Sequence, residues 1–178
     1  MAVASISLPP ARTPGSYRIA VVCLGNICRS PMAHVVLEDR VAAAGLDGVV
    51  TVVSSGTGGW HVGNPMDRRA AATLTASGYD AGAHRAEQFD ASWFDACDLV
   101  LAMDGSNRDD LLTVGTREDA ARVAMFRDFD PRAGHDRDVA DPYYGGDDGF
   151  EVVLATVERT ADALVAALAD ALAGDGER

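Results

Sequence analysis

Two of the three cysteines in this chain lie in one short stretch, VVCLGNICRSP, from Val21 to Pro31. Cys23 and Cys28 could form a redox pair or part of a metal site, or one of them could be a nucleophile beside a bound anion. Redox pairs usually have two residues between their cysteines, and here there are four. Structural zinc needs about four ligands with closely spaced cysteine pairs, and the remaining cysteine, Cys97, has the apolar context of a core thiol. The spacing favours the nucleophile, with the redox pair second.

The residues from Cys23 to Ser30 have the composition of an anion-binding loop. Five residues separate Cys23 from Arg29, and Gly25 can adopt positive φ, so the loop can curl with its backbone N–H groups around one anion. The guanidinium of Arg29 matches two phosphate oxygens. Ser30 before Pro31 fits a helix N-cap, which would direct the positive end of a helix at the same anion. The positive charge of these groups lowers the pKa of Cys23 and so favours its thiolate. The sulfur would lie beneath the phosphorus of a bound phosphate ester. An incidental buried cysteine after a glycine turn is the alternative.

Short apolar runs that alternate with helical patterns must position this loop. The apolar runs predict four buried strands: Arg18–Leu24, Val49–Ser54, Asp98–Met103 and Arg122–Phe126. The helical patterns cover Pro31–Gly45, Asp67–Ser77, about Ser106–Val114, and Phe150–Ala173. This alternation predicts an α/β fold, a parallel sheet with helices on both faces. Such sheets bind ligands at the carboxyl ends of their strands, and Cys23 lies at that edge.

Length and charge exclude several classes of function. The chain has 178 residues, 48% of them hydrophobic, which is enough for one domain. We assign residues 17–173 to this domain, with a disordered N-terminal tail at 1–16 and a C-terminal tail at 174–178. The net charge of −12 argues against nucleic acid and anionic membranes as partners. The sequence contains no lysine, which excludes lysine Schiff-base chemistry and a Walker-type phosphate loop.

The expected location follows from the cysteines and the N-terminal residues. Three cysteines do not make a disulfide framework and suit a reducing compartment. Residues 1–16 lack the charged and long apolar regions of a signal peptide, and no apolar run approaches the roughly 20 residues of a membrane span. We therefore expect a cytoplasmic protein without membrane contact, as a monomer or weak homodimer.

The stretch CLGNICRSPMA, Cys23 to Ala33, closely resembles the active-site loop of the low-molecular-weight protein tyrosine phosphatases. Four further blocks resemble that family in the family's order: SSGTGGWHVGNPMD (Ser54–Asp67), HRAEQF (His84–Phe89), DLVLAMD (Asp98–Asp104) and DPYYGG (Asp141–Gly146). The resemblance covers roughly Arg18 to Leu172 and is that of a bacterial member. It implies a single-domain, four-stranded parallel sheet in the order 2-1-3-4, with a phosphate-binding loop after the first strand. Ser55 departs from the family, which usually has alanine there.

A phosphatase also needs an acid, because a tyrosine phenolate leaves phosphorus slowly unless its oxygen is protonated. One carboxyl group can protonate the leaving oxygen and then, as a base, activate water. The chain offers two Asp-Pro dipeptides, Asp130-Pro131 and Asp141-Pro142, and the residues alone leave both open. The resemblance of DPYY to the family motif assigns the role to Asp141.

The remaining site residues are expected to shape the loop and the wall of the cleft. Ile27, Trp60, Tyr143 and Tyr144 would stack on a phenyl ring in a cleft deep enough to prefer phosphotyrosine. The loop residues Leu24, Gly25, Asn26, Cys28 and Ser30 complete the predicted substrate-binding set. The resemblance also implies that His84 supports the site by a hydrogen bond to the active-site serine, although a surface histidine is the alternative.

The predicted function is hydrolysis of phosphotyrosine in proteins through a cysteinyl-phosphate intermediate, with no cofactor and no metal. Two relatives on the same scaffold stay open, a phosphoarginine phosphatase and an arsenate reductase. In phosphoarginine phosphatases the position of Ile27 tends to be threonine, and arsenate reductases need additional redox cysteines. A non-catalytic phosphopeptide-binding module is the third alternative, and it would be expected to lose Cys23 or Asp141. Both residues are present.

Cys28 has no role in phosphate hydrolysis, so it is either a packing residue or a redox partner. A low-pKa thiolate at the bottom of a cleft is the kind of sulfur that peroxide oxidises first. A tightly curled loop would bring residues 23 and 28 within the separation that a disulfide tolerates. The family commonly carries the same second cysteine. We therefore expect oxidation to switch the enzyme off through a reversible Cys23–Cys28 bond.

Overall fold

The computed structural model describes residues 6–175. The strands in this part are β1 (Tyr17–Cys23), β2 (Val50–Gly56), β3 (Leu99–Ala102) and β4 (Val123–Met125). The α-helices are α1 (Arg29–Ala43), α2 (Arg68–Ala76), α3 (Ser92–Ala96), α4 (Gly105–Val114) and α5 (Asp148–Asp175). Short 3₁₀ turns flank β4, at Asp119–Arg122 and Phe126–Phe129. Within residues 6–175, no helix combines the length and apolar composition that a membrane span requires.

The strands are parallel and follow the order β2-β1-β3-β4. β1 is central and pairs with β2 along its whole length, from Tyr17 opposite Val50 to Cys23 opposite Gly56. The predicted α/β class and the 2-1-3-4 order are both confirmed. Strands of parallel sheets are buried on both faces and therefore nearly continuous in apolar residues, which is why apolar runs located all four.

Alternate side chains of β1 enter two separate cores. Ile19, Val21 and Cys23 face the larger core, which α1, α2 and α5 complete. Ala20 and Val22 face the smaller core, to which α3 and α4 contribute. Helices thus cover both faces of the sheet, as predicted. The arrangement leaves the carboxyl edge of the sheet open, and Cys23 is the last residue of β1 at that edge.

Several helix boundaries differ from the sequence predictions. α1 begins at Arg29 with Cys28 as its N-cap, so Ser30 lies inside the first turn and the predicted N-cap role of Ser30 is wrong. Its hydroxyl bonds other groups of the loop instead. α5 extends to Asp175, so the first two residues of the predicted C-terminal tail are helical, and residues 176–178 lie outside the described part. The five-residue α3 was not predicted, because so short a helix shows no periodicity.

The segment before β1 lies against the amino ends of the strands. The backbone N–H of Arg12 donates to the Asp98 carboxylate at 2.6 Å, and the Tyr17 hydroxyl donates to the Pro9 carbonyl at 2.9 Å. Pro9 and Arg12 thus contact the domain, within the residues 1–16 for which the sequence predicts a disordered tail. The first five residues lie outside the described part.

Candidate active site

The loop between β1 and α1 lies close against β2. Asn26 has φ of +56°, and it rather than Gly25 adopts the left-handed conformation, which corrects the prediction for Gly25. A Cβ at Gly56 would lie 2.6 Å from the Leu24 carbonyl oxygen, so only glycine permits this approach. In the described part of the chain, the N–H groups of Gly25, Ile27 and Cys28 bond no other backbone group. They remain available to an anion.

Polar groups behind the loop hold the sulfur of Cys23. Ser30 Oγ lies 3.0 Å from Cys23 Sγ, and the Asn26 backbone N–H donates to the same sulfur at 3.3 Å. Asn26 Nδ2 donates to Ser30 Oγ at 2.8 Å, and that hydroxyl also reaches the Ser55 carbonyl oxygen at 3.3 Å. When Cys23 is a thiolate, Ser30 can turn its single proton toward the sulfur. The negative charge then has two donors.

Asn26 is itself held from the segment between α2 and α3. His84 Nε2 donates to the Asn26 carbonyl oxygen at 2.7 Å, and the Glu87 N–H donates to Asn26 Oδ1 at 2.9 Å. Burial lowers the pKa of His84, which favours the neutral ring, and the bond to the Asn26 carbonyl oxygen requires a proton on Nε2. The predicted bond from His84 to the active-site serine is therefore replaced by one to Asn26, because the Ser30 hydroxyl already lies among Asn26, Ser55 and Cys23.

Arg29 extends from the first turn of α1 into the site. Nη1 donates to Asp104 Oδ2 at 2.6 Å and to the Val139 carbonyl oxygen at 3.1 Å, and Nη2 lies 3.4 Å from Asp141 Oδ2. Burial opposes the charge of Arg29, but the Asp104 hydrogen bond and the nearby Cys23 and Asp141 charges raise its pKa above the usual value. The guanidinium is a fixed cation. Because Nη1 is occupied, an anion would meet its Nε and Nη2 side.

Asp104 is a member of the site that the sequence did not single out. It caps α4 by accepting a hydrogen bond from the Asn107 N–H at 2.8 Å, and with its other oxygen it holds Arg29. Its place just after β3, at the same edge of the sheet as Cys23, was the available signal. Its position after a strand was not enough to distinguish Asp104 from the other acidic residues, of which the chain has 27 in total.

Asp141 lies at the mouth of the site and is partly exposed. Its Oδ1 accepts a hydrogen bond from the Tyr143 N–H at 3.1 Å, which closes a turn around Pro142. The other oxygen faces Arg29. The carboxyl group is therefore directed into the cleft without being enclosed by it.

Arg69, in α2, joins that helix to the Asp141 segment. Its guanidinium bonds both carboxylate oxygens of Asp67 at 3.1 Å, and its Nη2 donates to the Tyr143 carbonyl oxygen at 3.2 Å. Its Cζ lies 5.6 Å from the centre of the Tyr143 ring and 4.8 Å from that of Phe150. No local pattern in the sequence identifies Arg69, because its partner Tyr143 is 74 residues away.

A cleft of about 310 Å³ opens above Cys23. Its lining includes ten of the predicted site residues: Cys23, Leu24, Gly25, Ile27, Cys28, Arg29, Trp60, Asp141, Tyr143 and Tyr144. His61 also lines the cleft and was not predicted. Asn26, Ser30 and His84 do not line it and lie behind the loop. Among residues 6–175, no group of three or more histidine, cysteine or acidic side chains is placed to hold a metal ion.

The wall of the cleft is aromatic and open to solvent. The rings of Tyr143 and Tyr144 meet edge to face with their centres 4.9 Å apart, and Trp60 is 74% exposed. Cys23 at the bottom is only 3% exposed. Cys28 is also buried, and this burial, reinforced by the Asp67 carboxylate, raises the pKa of Cys28 to about 12. The two thiols therefore have different environments in one cleft.

A deep cysteine, a fixed guanidinium and a partly exposed carboxyl group at the carboxyl edge of a parallel sheet define a cysteine-dependent phosphatase. The family model described as low molecular weight phosphotyrosine protein phosphatase matches residues 18–173. The chain belongs to this family.

Named relatives and solved structures agree with this assignment. A low molecular weight protein-tyrosine-phosphatase of Streptomyces coelicolor is 48% identical over 161 residues, which are 89% of this chain and 98% of that protein. A low molecular weight protein-tyrosine phosphatase A of Mycobacterium tuberculosis is 47% identical over 79% of this chain and 84% of its own length. The crystal structure of a protein tyrosine phosphatase from Entamoeba histolytica, with Hepes in the active site, has a TM-score of 0.83 and 30% identity. That match covers 88% of this chain and 99% of the other.

Proposed function

We propose that this protein hydrolyses phosphotyrosine in proteins through a cysteinyl-phosphate intermediate. The observation that carries the proposal is the position of Cys23 Sγ, held by Ser30 and the Asn26 N–H at the bottom of a cleft that Arg29 and Asp141 also line. A tyrosine-phosphorylated protein is the proposed partner. A cytoplasmic location and a monomeric or weakly dimeric state belong to the same proposal.

In the first step the thiolate of Cys23 attacks phosphorus. A sulfur–phosphorus bond forms as the bond from phosphorus to the tyrosine oxygen breaks, and the Asp141 carboxyl group gives its proton to that oxygen. Arg29 and the free N–H groups of the loop stabilise the charge on the other phosphate oxygens. The products are tyrosine, phosphocysteine and the Asp141 carboxylate.

In the second step the Asp141 carboxylate takes a proton from water as that water attacks phosphorus. The sulfur–phosphorus bond breaks, and inorganic phosphate and the Cys23 thiolate are released. The Ser30 hydroxyl and the Asn26 N–H favour the leaving sulfur because they bond its negative form. Asp141 is again protonated, so one turnover restores the starting state.

The structure supports this function over the alternatives. Ile27 lines the cleft with Tyr143 and Trp60, an apolar setting that suits a phenyl ring. Cys97, which an arsenate reductase would need as a further redox thiol, is fully buried in the smaller core and does not line the cleft. A binding module would not need the carboxyl group of Asp141 above the sulfur.

The test is an assay of phosphotyrosine, phosphoserine and phosphoarginine peptides with purified protein in EDTA. We expect turnover of the phosphotyrosine peptide alone. Cys23→Ser should lose activity by several orders of magnitude while still binding the phosphopeptide, because Arg29 and the loop N–H groups remain. Faster turnover of phosphoarginine, or residual activity of Cys23→Ser above about one per cent of wild type, would contradict the proposal.

We also propose that Cys28 protects Cys23 during oxidation. Peroxide would convert the Cys23 thiolate to sulfenic acid, and the Cys28 thiol would then form a disulfide with that sulfur and release water. Both cysteines line the same cleft. Because the pKa of Cys28 is about 12, few Cys28 side chains are thiolates at neutral pH, and the bond should form faster as the pH rises.

The redox proposal predicts a loss of recovery in Cys28→Ser. The variant should keep its activity under reducing conditions but regain little activity with dithiothreitol after peroxide treatment, since further oxidation of Cys23 is irreversible. Mass spectrometry should find the Cys23–Cys28 pair in the oxidised wild type. Full recovery of Cys28→Ser, or a pair that contains Cys97, would show that Cys28 is a packing residue.

A further inference from the structure

A second cleft, of about 280 Å³, adjoins the active-site cleft. Leu24 and Trp60 line both clefts, so the two share a wall. The rest of the second cleft comes from the segment after β2, from Phe89 and from α4: Thr57, Gly58, Phe89, Asp110, Leu111, Thr113 and Val114. Five of the nine residues that line the cleft carry apolar side chains: Leu24, Trp60, Phe89, Leu111 and Val114. The cleft has no part in the two chemical steps.

The shared wall is held in place even though it is exposed. A Cβ at Gly58 would overlap the Trp60 ring, so the ring lies directly against the Gly58 backbone. Gln88 Nε2 donates to the Thr57 carbonyl oxygen at 3.3 Å and so joins this segment to the next loop. Leu24 and Val114 are exposed as well as Trp60. A fixed group of exposed large apolar side chains beside a catalytic cleft is typical of a ligand-binding surface.

The polypeptide of the substrate is the occupant that the position of this cleft favours. A peptide whose phosphotyrosine enters the first cleft can leave it past Leu24 and Trp60, since these two residues separate the first cleft from the second. Extended chains advance about 3.3–3.6 Å per residue and alternate their side chains, so a residue two positions away lies about 7 Å along on the same side. A side chain at that position can therefore enter a neighbouring cleft that lies about 7 Å along the surface from the phosphotyrosine.

We propose that the second cleft is a substrate subsite that binds an apolar side chain two residues from the phosphotyrosine. The inference rests on the proposed phosphotyrosine hydrolysis and adds sequence selectivity to it. Asp110 lines the second cleft, and the chain has a net charge of −12. Both negative charges disfavour an acidic side chain of the substrate in this cleft. The subsite therefore distinguishes leucine or a similar residue from alanine and, more strongly, from glutamate.

The experiment compares phosphotyrosine peptides that differ only at the second position before or after the phosphotyrosine, with leucine, alanine or glutamate there. We expect leucine to raise kcat/KM about five-fold or more over alanine at one of the two positions. Val114→Glu should reduce that ratio below about two-fold. Thr113→Arg places a long side chain in the same cleft from the preceding residue and should have the same effect. Val62→Glu is the matched control, since Val62 is exposed but lines neither cleft, and it should keep the wild-type ratio.

Each ratio is measured within one variant, so a general loss of activity does not alter it. p-Nitrophenyl phosphate, which has no peptide flanks, separates the two proposals. If wild type hydrolyses this compound but shows no preference for leucine at either position, the subsite is overturned and the hydrolase stands. The same holds if both cleft variants keep the wild-type ratio. If neither p-nitrophenyl phosphate nor any peptide is hydrolysed, both proposals are overturned.

Discussion

The two Asp-Pro dipeptides of this chain, eleven residues apart, occupy opposite environments. The side chain of Asp130 is completely buried and bonds Arg159 at 2.7 and 2.9 Å and Arg127 at 3.0 Å. Asp141 is partly exposed, and its nearest cation, Arg29, is 3.4 Å away. The same dipeptide thus serves once to anchor a loop to α5 and once to present a carboxyl group to the cleft.

This difference shows what a general acid requires of its surroundings. The Arg159 hydrogen bonds, with help from Arg127, hold the pKa of Asp130 well below its usual value. A carboxyl group in that setting does not carry a proton near neutral pH and cannot donate one. Asp141 has a looser contact with one cation and an open path to the substrate. The environment of Asp130 therefore excludes it as the acid, which agrees with the assignment of Asp141 that the family resemblance implied.

Among the variants that test this comparison of the two aspartates, Asp141→Asn should have the largest effect. For aryl phosphates with poor leaving groups, kcat should fall about 100-fold or more, because the leaving oxygen loses its proton donor. Strongly acidic phenols leave without a proton and should be affected much less. The measurement is kcat across a leaving-group series, with Asp130→Asn as the comparison, which should keep the wild-type dependence. Equal losses across the series would contradict the role of Asp141.

A smaller effect, on stability rather than chemistry, is expected for Asp130→Asn. Removing one partner of a buried ion pair leaves Arg159 and Arg127 uncompensated and should cost about 2–4 kcal/mol of unfolding free energy. The pKa of Asp130 is lowered in the folded state, so its contribution is fully present above the unfolded value of about 3.9 and is lost as the pH falls toward the folded value.

Denaturant unfolding of wild type and Asp130→Asn at several pH values measures this contribution. The stability gap should be constant from about pH 7 to pH 5 and should narrow below about pH 4. A variant as stable as wild type at pH 7 would show that the buried carboxylate contributes nothing. A gap that persists unchanged at low pH would assign the loss to packing instead of charge.

The sequence predicted those features that depend on neighbouring residues. Apolar runs located the four strands because both faces of the sheet are buried, and the spacing of Cys23 and Arg29 identified the loop because its residues are consecutive. The contacts of Arg29 with Asp104 and Asp141 could not be predicted from neighbouring residues. Asp104 is 75 residues and Asp141 112 residues from Arg29, and only the crossovers of the sheet bring them together.

The local conformation of the loop was predicted less well than its chemistry. Glycine is the residue that adopts positive φ most readily, yet Asn26 takes that conformation and Gly25 does not. The side chain and carbonyl of Asn26 bond Ser30, Glu87 and His84, and these three contacts favour its unusual backbone. Local propensity could not anticipate them, because two of the partners are about 60 residues away along the chain.

The smallest of the predicted effects should come from substitution of Arg69. This residue holds the Asp141 segment without touching the reacting atoms. Arg69→Gln removes the bonds to Asp67 and to the Tyr143 carbonyl oxygen, so Asp141 should be positioned less well. We expect kcat for poor leaving groups to fall about ten-fold, with little change for acidic phenols, since misplacing a catalytic group lowers the rate steeply. Arg68→Gln, at the exposed neighbouring arginine, is the matched control and should behave as wild type.

A double variant decides whether Arg69 acts through Asp141. If it does, adding Arg69→Gln to Asp141→Asn should cause no further loss with poor leaving groups, because the proton donor is already absent. The measurement is again kcat across the aryl phosphate series, in the two single variants and the double variant. Independent losses that multiply, or a loss in Arg69→Gln that is equal for all leaving groups, would place its role elsewhere, for example in the shape of the cleft around Tyr143. The expected result would show that Asp141 depends on a guanidinium held beside its segment, just as Asp130 depends on guanidinium groups that bind it directly.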